Sequence, residues 1–311
     1  MKISFINIYQ YFFQNPHILL ILTMLGWGSH SVVARISVDE VSPMTLIFIR
    51  WSLISLLLIS IQRKKVIDTI TIVKSRFAWF LYMGGICMCL FSALYYIAAH
   101  YTTAINLGIL QSSLPGIIIV ASYVLYKTKI NFIQFIGLLF TFAGVILVVS
   151  NGSISLLLKL TLNPGDILMV FACICYAMYT VGLRNRPRLD EIVFFTFISI
   201  AAWIAAIPLI IIEIITGYFI APSFIGLACI IYIALVPSLL CQLFYLKAVD
   251  RLGPGHAGLY TNLVPIFSAI FAVSFINEIL HFYHLLSVLL VFYGIYLFNK
   301  KVGSKNSKLI K

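Results

Sequence analysis

The chain has 311 residues, 62% hydrophobic and 10% charged, with a mean hydropathy of +1.08. Its 21 basic and 9 acidic residues are too few to keep the exterior of a soluble fold wet, which leaves almost no room for a soluble enzyme. The net charge of +12 does not indicate nucleic acid, because the basic residues fall in short clusters between apolar runs rather than along one face.

Met1 to His17 holds one Lys and no compact apolar core ahead of a small-residue cleavage site, so the first span is expected to stay in the mature chain. A helix needs about 20 apolar residues to cross the roughly 30 Å hydrocarbon core, since an unpaired backbone group in lipid costs several kcal/mol. Cutting the chain at charges and at Gly, Pro and Asn turns predicts ten spans: 18–37, 43–61, 77–98, 103–126, 132–149, 165–184, 191–213, 223–246, 255–276 and 281–299. Phe77 to Tyr126 carries no Lys, Arg, Asp or Glu, and its 50 residues make two spans only by turning near His100-Tyr101-Thr102-Thr103. No length remains for a soluble domain.

Basic residues set the orientation. With the N-terminus inside, the inner segments hold Lys2; Arg63, Lys64, Lys65, Lys74 and Arg76; Lys127 and Lys129; Arg184, Arg186 and Arg188; Lys247 and Arg251; and five Lys in the basic tail 300–311. Those are 18 of the 21, against Lys159 alone outside, with Arg35 and Arg50 inside spans. The expectation is an even number of spans with both termini cytoplasmic.

The sequence also repeats. At an offset of 150, Gly108 meets Gly258, Pro115 meets Pro265, Gly144 meets Gly294 and Leu147 meets Leu297. Upstream the offset is 149, pairing Tyr96 with Tyr245 and Arg35 with Arg184, so one residue is gained near Gly253-Pro254-Gly255. Two five-helix units, 18–149 and 165–299, follow. Five is odd, so the units enter the membrane in opposite directions, the inverted-repeat plan of secondary transporters with a site at the midplane.

Trp27-Gly28, Arg50, Ala98-Ala99, Pro115, Gly137, Gly144, then Pro265, Asn277-Glu278 and Gly294, in this order across the two units, resemble the EamA family of the drug/metabolite transporter superfamily. The resemblance covers about 18–299. It implies an all-α integral membrane carrier of the bacterial inner membrane, ten helices in two inverted repeats, commonly an exporter of amino acids or small metabolites with a cavity between the halves. His30 stands where the family often has Asn, and Ser287 replaces the glycine that Gly137 would predict.

Polar and aromatic residues near mid-depth form the candidate substrate site: Trp27, His30, Arg50, Tyr95, Tyr96, Gln111, Ser112, Tyr176, Tyr179, Gln242, Tyr245, Tyr260 and Asn262. Lipid offers Gln and Asn no partner, so they should face inward, either bonding neighbouring helices or lining a cavity. Aromatic walls suit an apolar or zwitterionic solute. Arg50 lies seven residues into its span, roughly 10 Å deep, where it either bonds backbone carbonyls or meets an anionic group of the substrate. Arg35, close to Asp39 and Glu40, reads as an interfacial anchor. Pro115 and Pro265 loosen their helices just after Gln111-Ser112 and Asn262. Asp166 and Glu213 sit near the outer surface, leaving His30 as the one deep titrating candidate for proton coupling.

The six cysteines lie inside apolar stretches, where Cys87/Cys89 and Cys173/Cys175 point apart on a helix and read as small buried side chains. No P-loop, HExxH, paired catalytic carboxylates or Gly-x-Ser-x-Gly elbow occurs, so no metal or cofactor is expected and ATP-driven transport by this chain alone is excluded. The expected partners are a small-molecule substrate and the lipid bilayer, with a homodimer as a possible assembly and no nucleic acid. A membrane enzyme acting on lipid-linked substrates is the alternative reading, and a receptor or assembly subunit the third. In a background without native cysteines, Cys placed at Ser153 or Thr216 should react with an impermeant thiol reagent added outside, whereas Cys at Asp68 should not; labelling at position 68 in intact cells would reverse the orientation.

Overall fold

The computed structural model describes residues 15–127, 132–153, 163–252 and 260–299, and among them all regular structure is helical. Helix is what lipid demands, because it pairs backbone groups within one segment. Eight helices are long and apolar enough to cross a membrane: α1 (Pro16–Ile36), α2 (Pro43–Ser75), α3 (Phe77–Tyr101), α4 (Ala104–Tyr126), α5 (Phe132–Val149), α6 (Pro164–Asn185), α7 (Glu191–Ile215) and α8 (Phe224–Ala248). The shorter apolar helices α9 (Leu263–Ile276) and α10 (Phe282–Asn299) follow. The tail 300–311, Lys2, Lys129, Lys159, Gly258 and the insertion near Gly253-Pro254-Gly255 lie outside the described residues.

Caps set several of the boundaries. Asn15 and Asn163 accept from the backbone N–H two residues on, each followed by Pro in the first turn, and Asp190 caps α7 in the same way. The α3–α4 turn falls at Thr102-Thr103, where Thr103 accepts from the Asn106 N–H. One boundary moves: α2 continues to Ser75, past the end expected at residue 61, with a kink at Gln62 (φ −113°, ψ 20°). Arg63, Lys64 and Lys65, placed in a loop by their charge, are good helix formers, and buried Val66 and Val73 hold the extension against the protein.

Three further helices are irregular, and each carries its cause in the sequence. In α3 the stretch Tyr82–Leu90, which includes Gly84-Gly85, is π-helical; in α8 the stretch Ala234–Leu240, which includes Pro237, is π-helical. In α4 the helix breaks between Gln111 and Leu114, one residue before Pro115, and the hydroxyls of Ser112 and Ser113 turn back onto the carbonyls of Ile109 and Leu110 at 2.5 and 2.6 Å.

Helices α2 and α7, α4 and α9, and α5 and α10 pack side by side and antiparallel. Along α2 and α7, Thr45 meets Glu213 while Ser55 meets Ser199. Along α4 and α9, Ser268 Oγ donates to the Ala104 carbonyl while Gly108 lies over Ser268 and Pro265. On α5 and α10 the contact is reciprocal: a Cβ on Gly144 would stand 2.9 Å from the Ser287 carbonyl, and a Cβ on Gly294 would stand 2.5 Å from the Gly137 carbonyl. Such approach is how membrane helices gain contact without a hydrophobic drive between them. Ser287, the departure from glycine, donates to the Gly144 carbonyl at 2.7 Å.

The face opposite the basic segments is closed by carboxylates. Glu213 of α7 accepts from the N–H groups of Met44 and Thr45 at 2.9 and 3.0 Å and from Ser42 Oγ at 2.6 Å, capping α2. Glu278 accepts from the N–H groups of Ala104 and Ile105 at 2.7 and 3.0 Å, capping α4. Asp166, fully buried, accepts from Thr102 Oγ1 and from Asn106 Nδ2. Asp166 and Glu213, expected near the outer surface, stand at the helix ends opposite the basic segments and are buried there by donors from other parts of the chain. Gly294→Ala is expected to force α5 from α10 and lower stability by about 1–3 kcal/mol, measured by thermal unfolding in detergent; an unchanged transition would show that the contact relaxes freely.

Candidate functional site

Between the helices lies a cavity of about 420 Å³. Its lining starts at Gln111 on α4, Tyr176 on α6 and Pro237 on α8 and runs toward the ends bearing Lys127, Arg184 and Arg251; Arg50 and Trp51 of α2 form its deep end. The cavity thus reaches from Arg50, Trp51 and His30 inside the bundle toward the helix ends that carry the basic segments.

Trp27, His30, Arg50, Gln111, Tyr176, Tyr179, Gln242 and Tyr245 line this space. Trp27 Nε1 donates to the Pro237 carbonyl at 3.2 Å, so the π-helical part of α8 fixes the indole, and Tyr245 packs on it with ring centroids 5.2 Å apart. Arg50 is 5% exposed. Its Nη1 donates to the Tyr96 hydroxyl at 3.0 Å, with Ser92 Oγ at 3.4 Å, and its guanidinium lies 4.8 Å from the Trp51 ring centroid. The same Tyr96 hydroxyl contacts His30 Nε2 at 2.8 Å. Because it accepts from Arg50, the arrangement that gives every proton a partner has Tyr96 donating to an unprotonated Nε2. His30 is thus held as a neutral acceptor, stacked on Tyr95 with ring centroids 4.8 Å apart.

The other five candidates lie off the lining. Tyr95 and Tyr96 stand behind His30 and position it. Ser112 is turned back onto its own helix. Tyr260 is drawn to the periphery, where its hydroxyl meets His17 Nδ1 at 2.7 Å. Asn262 precedes the first turn of α9 with Oδ1 buried and without a partner. Depth along a helix selected all five, but depth does not say which side of the helix looks inward. Conversely, Trp51, Phe91, Thr141, Pro237 and Ser238 line the cavity and were missed. A proline in mid-span was a readable signal for Pro237, and Thr141, set between Gly137 and Gly144, lies on the same small-residue helix face.

Arg35 anchors to the Ala99 carbonyl at 2.7 Å rather than to the neighbouring acids. Five of the six cysteines are buried and Cys175 is partly so, and among the described residues no three His, Cys, Asp or Glu converge as a metal site would require.

The EamA-like transporter family model matches twice, over residues 15–150 and 163–300. The chain belongs to the EamA-like transporter family. Similar proteins include an uncharacterized transporter of Archaeoglobus fulgidus, 28% identical over 292 residues, covering 92% of this chain and 97% of that one. The uncharacterized transporter YyaM of Bacillus subtilis is 23% identical over 288 residues, covering 90% and 92%. A crystal structure 14% identical in sequence covers 91% of this chain and 95% of its own with a TM-score of 0.61, a likeness of fold alone. This EamA-like chain is a multi-pass membrane transporter.

Gln111 Oε1 and Asn262 Oδ1 are both buried without a partner, so neither substitution to Leu removes a hydrogen bond at that oxygen. Both variants should stay within about 1 kcal/mol of the parent in stability, while only Gln111→Leu, on the cavity wall, should lower flux per folded molecule. Equal flux in the two variants would detach Gln111 from the solute.

Proposed function

We propose that this EamA-like protein is a secondary carrier, an exporter of amino acids or other small organic metabolites, working by alternating access. Ten helices cross the bacterial inner membrane as two inverted five-helix units, with both termini in the cytoplasm. The observation that carries the reading is the cavity, built from helices of both units and running toward the basic segments, with the helix ends at the other face capped by Glu213 and Glu278. The antiparallel packing of α2 on α7, α4 on α9 and α5 on α10 supports the inversion, since corresponding helices of inverted units must run oppositely.

Alternation needs two packings of comparable energy. The closed face is held by hydrogen bonds between the units, and a second state would exchange them for contacts around the present opening. Solute in the cavity would then reach the far side without a continuous pore. The work is transport rather than catalysis, since the lining brings together one guanidinium and one neutral imidazole and no acid–base pair.

The test is counterflow. Liposomes containing the purified protein are loaded with an unlabelled metabolite extract and offered the same pool in labelled form. At least one solute should accumulate faster than in liposomes carrying Gln111→Leu or no protein. Exchange no faster than in empty liposomes across the whole pool would remove the carrier reading.

A further inference from the structure

The cavity contains one fixed charge and nothing of the protein's own to balance it. Arg50 is the only Lys, Arg, Asp or Glu in its lining, and its Nε is buried without a partner. Every group that touches the guanidinium is neutral: the hydroxyls of Tyr96 and Ser92 and the rings of Trp51 and Tyr96. These orient the guanidinium and solvate it in part, but a buried cation without an anion is costly, and the cost falls when a ligand brings the anion.

Resting on the carrier reading, we propose that the cavity takes a monoanionic carboxylic acid that bears no ammonium group, with an aromatic or branched apolar body. Its carboxylate lies on Arg50, where the planar guanidinium offers paired N–H donors. Its body lies against Trp27, Phe91, Tyr176 and Tyr245. Gln111 Oε1, an acceptor without a partner, takes one neutral O–H or N–H of the ligand.

Among the small organic metabolites of the carrier reading, charge favours the acid over the alternatives. A monoanion brings the enclosed total to zero, a zwitterionic amino acid leaves Arg50 unbalanced, and an amine adds a second cation within a low-dielectric space lined by no carboxylate. A phosphate ester, with close to two negative charges, overshoots a single guanidinium. A sugar finds too few donors and too many rings. The mouth favours anions as well, because exposed Arg184 follows lining residue Leu183 and exposed Lys247 follows lining residue Leu246.

Three ligands with the same ring and chain separate these cases: phenylpropionate, phenylalanine and phenethylamine. Binding to the purified full-length protein is measured by equilibrium dialysis of labelled ligand. Phenylpropionate should bind at least about tenfold more tightly than phenylalanine, and phenethylamine should not bind. Arg50→Gln should lose at least that factor for phenylpropionate, with Arg50→Lys between the two. The comparison among ligands uses the parent protein, so it stands even where Arg50→Gln fails to fold. Failure of the acid to bind, or equal or tighter binding of phenylalanine or phenethylamine, overturns the proposal. Should the amino acid or amine bind and also exchange across the membrane, the anion assignment falls while the carrier reading stands. Absence of exchange for every solute in the counterflow pool removes the carrier reading on its own.

Discussion

Two helix N-termini end against carboxylates from distant parts of the chain, and the form of the molecule follows from that requirement. The first turn of any helix leaves N–H groups without an internal partner, and lipid supplies none. Here Glu213 answers for α2 and Glu278 for α4, while Asp166 holds the Thr102 and Asn106 side chains at the start of α4. The negative end groups also suit the positive end of the helix dipole. Because these bonds run between 18–149 and 165–299, satisfying the helix ends also ties the two stretches together on one face. The cavity that starts at Arg50 and Gln111 runs toward the other face.

Irregular backbone appears where that space is. The π-helical parts of α3 and α8 contribute Met88, Pro237 and Ser238 to the cavity wall, and the break in α4 places Gln111 and Pro115 there. A membrane interior tolerates such departures only where the protein or a wet cavity meets the strained backbone. Ser238 does this directly, donating to the Ile233 carbonyl at 2.6 Å beside the proline. The wall is therefore assembled from the points at which helices are weakest, which are also points where they can bend.

Most of the fold was legible in the sequence because its signals are one-dimensional. Hydropathy marks where α1, α5 and α7 begin and end, and the uncharged stretch from Phe77 to Tyr126 had to turn near Thr102. The α2 extension was not legible, since Arg63 to Lys65 read as a loop by charge while their intrinsic preference is helical. The bonds made by the carboxylates were not legible for a different reason: the groups that Asp166, Glu213 and Glu278 hold lie 60 or more residues away in sequence. The site shows the same limit: Trp27 and Gln111 face inward, Tyr260 and Asn262 do not, and rotation about a helix axis is settled by packing rather than by local pattern.

The central claim is that the closed face must open for the carrier to turn over. Ser31 of α1 and Ser268 of α9 touch through their hydroxyls on that face. In a background free of the six native cysteines, Ser31→Cys with Ser268→Cys should form a disulfide on oxidation, since side chains in contact lie within bridging reach. Exchange of a counterflow substrate in liposomes should stop on oxidation and return on reduction, with neither single variant affected. Undiminished exchange in protein shown to be fully cross-linked would contradict the account, because a solute would then be crossing a face that cannot open.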